Sequence, residues 1–152
     1  MILRTRGDGL ILLGPEIERA IAAYVADDEI GLEAGGIFVG SYRGPHVEIR
    51  SCTTPLPRDV RKPTLFDRSD PGHHAAALKA WNESGGTDTY VGEWHTHPVD
   101  DPVPSDLDVR TWRAIMRCVS DPLIFLIVGR RSIWCGHGRR GELAALPILN
   151  AG

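Results

Sequence analysis

No apolar run in the chain approaches the roughly 18 residues that cross a bilayer. The opening MILRTRGDGLILLGPE interrupts its apolar residues with charges every few positions, so the hydrophobic stretch of a secretory signal is missing. Membrane insertion and export are therefore not expected, and the expected compartment is the cytoplasm. Cysteine is scarce. Cys52, Cys118 and Cys135 are odd in number and widely spaced, which fits neither a disulfide framework nor a paired-cysteine metal knuckle. Cys118 and Cys135 read as small apolar core residues. Basic clusters are equally sparse. Arg130-Arg131 and Arg139-Arg140 are the longest runs, and 17 basic against 20 acidic residues leave a net charge of −3. Such a chain has no stripe to track a phosphate backbone, so nucleic acid is not an expected partner. Repeats and low-complexity tracts are also missing.

What is present is ordinary globular composition. With 152 residues, 42% hydrophobic and 24% charged, the chain can bury a core as one domain over residues 1–152. Ile2-Leu3-Arg4 and Leu10 to Leu13 flank Gly7-Asp8-Gly9 and read as two short strands. Pro15 opens an amphipathic helix carrying Ile17, Ile21, Tyr24 and Val25, ending near Glu29. Gly36 to Tyr42 and His46 to Cys52 form an antiparallel pair around the turn Arg43-Gly44-Pro45. Thr53 to Pro71 holds Pro55, Pro57, Pro63 and Pro71, too many for a central strand or helix, and reads as a long connection. Gly72 to Glu83 is a helix with His74, Leu78 and Trp81 on one face. Thr89 to His97 is a strand, and Ser105 to Cys118 a helix with Trp112, Ile115, Met116 and Val119 inward. Leu123 to Val128 is a buried strand, followed by short strands at Ser132 to Cys135 and Leu143 to Ile148. Helices around a mixed sheet give an α/β or α+β sandwich.

The informative segment runs from Gly92-Glu93-Trp94-His95-Thr96-His97-Pro98 to Ser105-Asp106-Leu107-Asp108. Side chains two apart on a strand share a face, so His95 and His97 can offer two imidazoles to one point. Asp108 falls in the first turn of the next helix, where the dipole favours a carboxylate. Each piece has a plain structural explanation. A His-X-His can be surface or packing, and Ser105 with Asp108 is a capping-box pattern. Together they give two imidazoles and a carboxylate that converge across one short loop, leaving a fourth metal position open for water. Glu33, just before Gly35-Gly36, is a candidate to move that water's proton. Glu93 lies on the same strand face as the two histidines, where it could orient a ligand or act as a rival base. His46, His73, His74 and His137 have no matching partners and read as surface or packing residues.

Two elements resemble a known family. Glu33-Ala34-Gly35-Gly36-Ile37-Phe38-Val39-Gly40 is similar to the Glu-X-X-Gly element of JAMM (JAB1/MPN/Mov34) metallopeptidases. His95 through Asp108 matches that family's second element, His-X-His, seven residues, Ser, two residues, Asp. The wording around both looks most like small stand-alone bacterial JAB proteins. The resemblance implies a single MPN/JAB domain with a cytidine-deaminase-like sandwich, and zinc held by His95, His97 and Asp108. It also implies Glu33 as general acid/base and Ser105 as oxyanion donor. The implied activity is hydrolysis of an amide or isopeptide bond after the C-terminal tail of a ubiquitin-like protein, which with its conjugate is the expected partner. A strand edge beside the metal could hold such a tail by β-augmentation, under the Thr53 to Pro71 segment. Two readings from other classes remain beside it: a non-catalytic MPN scaffold, and a non-haem iron oxygenase using the His-His-Asp triad.

Overall fold

A computed structural model describes residues 1–26 and 31–148. The strands are β1 (Ile2–Arg4), β2 (Leu10–Leu13), β3 (Gly35–Arg43), β4 (His46–Cys52), β5 (Val60–Lys62), β6 (Leu65–Asp67), β7 (Thr89–Thr96), β8 (Leu123–Val128), β9 (Ile133–Arg139) and β10 (Glu142–Ala145). The helices are α1 (Pro15–Ala26), α2 (Gly72–Glu83) and α3 (Asp106–Cys118). The expected continuation of α1 to Glu29 lies outside the described residues.

Eight strands form one mixed sheet in the order β1-β2-β4-β3-β7-β8-β9-β10. The β2–β4 and β7–β8 pairs are parallel and the others antiparallel. A bridge between Leu3 and Ile148 joins the first strand to the end of the described chain, so the sheet curls. Strand alternation divides the core. Ile124 and Leu126 of β8 pack with Ile17 and Ile21 of α1 on one face, whereas Leu123, Phe125 and Ile127 pack with Trp112 and Met116 of α3 on the other.

β7 changes phase at Gly92, which sits at φ +146 opposite a register shift in β3. A side chain there would run into the Ile124 carbonyl of β8, so glycine is required by close approach as well as by backbone angle. Val91 and Trp94 therefore both join the α1 face. Glu93 and His95 turn to the α3 side, where the His95 ring lies 5.8 Å from that of Trp112.

α2 keeps His74, Leu78 and Trp81 on one face, and that face is outward, with Leu78 and Trp81 at 51% and 47% exposure. Three sequence expectations change. The proline-rich connection contains a hairpin, β5–β6, because Pro63 occupies its turn and leaves Val60, Leu65 and Phe66 free to pair. Cys118 is exposed rather than core, since two residues past buried Met116 rotates it about 200° around the helix. β7, finally, offers no edge for a peptide, because β3 and β8 flank it on both sides.

Candidate metal centre and cleft

The end of β7 is fixed by backbone bonds to both neighbours: Thr96 N–H donates to the Ala34 carbonyl (2.7 Å) and His97 N–H to that of Val128 (3.1 Å). This brings the two Nε2 atoms of His95 and His97 to 3.0 Å from one another. Asp108 reaches the same point from α3. Its Oδ1 lies 3.4 Å from His95 Nε2 and its Oδ2 3.2 Å from His97 Nε2. The capping box is also present: Asp108 N–H donates to Ser105 Oγ (3.1 Å), and Ser105 N–H to Asp108 Oδ2 (2.8 Å). The cap thus orients the carboxylate that faces the imidazoles, and the two explanations of Asp108 hold together.

Glu33 is held from both sides of its peptide. Its N–H donates to the Lys62 carbonyl and its own carbonyl accepts from Arg61 Nε, both at 2.9 Å, which ties it to β5. The next residue, Ala34, donates to Thr96 Oγ1 at 2.9 Å. The Glu33 carboxylate stands 3.6 Å from His97 Nε2. Glu33, His95 and His97 each bring one ligand-type atom within 4.8 Å of the others, a group able to hold a metal ion.

The electrostatics suit a cation. Burial pushes Glu33 up to about 7 against the opposing pull of His97. Burial would also raise Asp108, but its hydrogen bonds with His95 and His97 hold it well below the usual carboxylate range. Burial lowers His95 below an ordinary imidazole in spite of Asp108. His97 is desolvated too, yet the Asp108 and Glu33 charges carry it above its ordinary value.

The site opens into a cleft of about 360 Å³ floored by Glu33, Glu93 and His95. One wall is Leu65 to Arg68 and the other is the Leu107–Thr111 flank of α3. β6 pairs only with β5 among the described residues, and the Phe66 backbone comes near enough to the Glu33 carboxylate to favour its charged form slightly. The free strand edge beside the site therefore belongs to the hairpin.

Glu93 does share the histidine face, but its carboxylate is engaged. Arg68 Nη1 lies 3.3 Å from Oε1, though without hydrogen-bond geometry, and Tyr90 donates its hydroxyl proton to Oε2 at 3.1 Å. Arg68 also donates to the Gly36 carbonyl (2.9 Å) and to that of Trp94. Nothing in the sequence assigned Arg68 a task, because the partners it meets lie on β3 and β7. His73 is no surface residue. It is buried and polar, with Nε2 2.7 Å from Asp59 Oδ2 and Nδ1 2.6 Å from Thr53 Oγ1, and it locks the start of the long connection.

With this geometry in place, the comparisons with known proteins are direct. The domain described as prokaryotic homologs of the JAB domain matches residues 15–139. An Escherichia coli protein named CD-NTase/cGAS isopeptidase is 34% identical over 140 residues, covering 91% of this chain and 88% of that one. A Pseudomonas aeruginosa protein of the same name is 41% identical over 113 residues, covering 73% and 72%. A probable metalloprotease of Sinorhizobium fredii is 29% identical, covering 78% and 76%. The solution structure of a Desulfitobacterium hafniense protein has the same fold, with a TM-score of 0.64 at 19% identity over 89% of this chain and 88% of that one. The chain belongs to the prokaryotic JAB family, and its mixed sheet with three helices is that family's fold.

Proposed function

We propose that the protein is a zinc-dependent isopeptidase that cleaves the amide or isopeptide bond following an extended protein tail. The observation that carries this reading is the convergence of His95, His97 and Asp108, with Glu33 beside them. Donor atoms around a tetrahedral zinc at about 2.0–2.1 Å stand about 3.3 Å apart. The separations of 3.0 Å between the two imidazoles, and of 3.2 and 3.4 Å from them to the two Asp108 oxygens, lie close to that edge length. Two neutral imidazoles and a carboxylate are ordinary zinc donors, so the residues present fit the ion.

Zinc bound there would lower the pKa of a coordinated water and polarise the scissile carbonyl. The remaining work falls to the chain. Glu33, buried and facing His97, takes a proton at its carboxylate and returns it to the departing amine. Ser105 spends its oxygen lone pair on the Asp108 N–H, leaving the hydroxyl hydrogen free to donate to an oxyanion. The β6 edge receives the tail by backbone hydrogen bonding, and α3 closes the cleft opposite.

The Escherichia coli and Pseudomonas aeruginosa relatives carry the name CD-NTase/cGAS isopeptidase, so the tail offered should include that of a CD-NTase as well as those of ubiquitin-like proteins. A panel of both kinds of fusion, with unrelated unstructured peptides as controls and mass spectrometry to map the cut, tests the reading. Cleavage of one fusion class directly after its tail is expected. Equal cleavage of every peptide, or of no fusion by zinc-loaded protein, would overturn it and favour a scaffold. Turnover that needs iron and oxygen would instead favour the oxygenase.

A further inference from the structure

The sequence shows no long basic run, yet folding assembles one. Arg110, Arg113 and Arg117 of α3 follow one another at spacings of three and four, which places them within about 60° of arc on a helix. All three are exposed. The β9–β10 turn adds Arg139 and Arg140 at the same end: Arg139 Nε donates to the Ser120 carbonyl at 2.9 Å, and a side chain on Gly141 would stand 3.6 Å from Arg117 Nε. Among the described residues, Arg110, Arg113, Arg117 and Arg140 have no ion-pair partner. Elsewhere Arg43 pairs with Glu48, Arg50 with Asp88 and Arg68 with Glu93, while the other arginines without an ion pair, such as Arg6, Arg19 and Arg58, do not follow one another along a single helix face.

Local structure gives no reason for this grouping. Like charges at helical spacings of three and four disfavour the helix that carries them. Arg140 sits at φ 55 before Gly141, in a turn where Asn or Gly is the usual residue. Only two are accounted for locally: Arg117 suits the dipole in the last turn of α3, and Arg139 meets the Ser120 carbonyl just beyond it. The other flank of the same helix lines the cleft through Leu107 and Thr111. Leu107, 43% exposed, forms the shoulder between the two surfaces. A helix is about 10–12 Å across, so a body resting on the arginines would have its chain beside the cleft.

We propose that the outer face of α3 is an exosite for an acidic surface on the folded protein whose tail enters the cleft. The proposal rests on the isopeptidase reading and adds to it a site for the substrate's body. Guanidinium groups in a row suit surface carboxylates, which they can engage two bonds at a time.

The test compares a folded ubiquitin-like or CD-NTase fusion with the same tail as a short free peptide, using wild type and the variant Arg110→Ser/Arg113→Ser/Arg117→Ser. These residues are outside the cleft, and circular dichroism and metal content verify that the variant is intact. At low salt the variant should raise KM for the fusion about tenfold with kcat unchanged, while the peptide's KM and kcat stay put. Added salt should bring wild type toward the variant on the fusion alone. Fusion and peptide responding alike, or neither responding, would overturn the exosite and leave the isopeptidase reading standing. Wild type cutting the peptide but no fusion would overturn it too. Cleavage of neither substrate would remove the isopeptidase reading and the exosite with it.

Discussion

The Arg68 guanidinium and the Glu93 carboxylate stand 3.3 Å apart at the cleft floor, joining the β5–β6 hairpin to the strand that carries His95. Both side chains are largely buried, at 16% and 5% exposure. Removing one partner would strand the other charge out of water, so Arg68→Ala should destabilise by about 3–5 kcal/mol. The double change Arg68→Met/Glu93→Leu should recover much of that loss. Urea denaturation of the three proteins measures it, and a single-variant cost under about 1 kcal/mol would contradict the pair's structural weight.

Glu93 so engaged is a poor proton acceptor for a cleft water, whereas the Glu33 carboxylate is buried beside His97. Glu33→Gln should therefore retain fold and metal while turnover falls by about 10² to 10⁴. Glu93→Gln should stay within a few-fold of wild type. Steady-state rates at matched metal content compare them, and the reverse ranking would reassign the base.

Ser105 has two jobs that substitution can separate. Ser105→Ala removes the cap on Asp108 N–H and should cost about 1 kcal/mol in stability, but Ser105→Gly only a few tenths. Both remove the hydroxyl and should slow the reaction by roughly 10² to 10³. If Ser105→Gly keeps full activity, the hydroxyl does not meet the oxyanion.

The Thr53–His73–Asp59 chain predicts that His73→Ala loosens the long connection, because Asp59 and Thr53 would each lose a buried partner. A loss of about 1–3 kcal/mol is expected. Hydrogen exchange should rise across residues 53–71 before it rises in β8. Uniform exchange throughout the chain would argue that the histidine supports the global core instead.

Much of this was legible because it depends on local periodicity. The two-residue spacing of His95 and His97, the first-turn position of Asp108 and the uninterrupted apolar run of β8 all follow from strand and helix geometry, and the structure keeps each. Other features depend on contacts between distant segments. That β7 is interior rather than an edge is decided by how β3 and β8 flank it. Prolines concealed β5–β6, since composition does not show which proline takes the turn. His73 and Arg68 acquire partners only when the long connection folds back on β3 and β7. The arginines of α3, separated by threes and fours, look dispersed along the chain and become one face only on a helix.

Metal analysis of the purified protein tests the central claim most directly. Wild type should carry about one zinc per chain, and His95→Ala/His97→Ala, with two of three protein ligands gone, should carry essentially none while still melting cooperatively. Stoichiometric zinc persisting in that double variant, or wild type that takes up no zinc when it is supplied, would contradict the site.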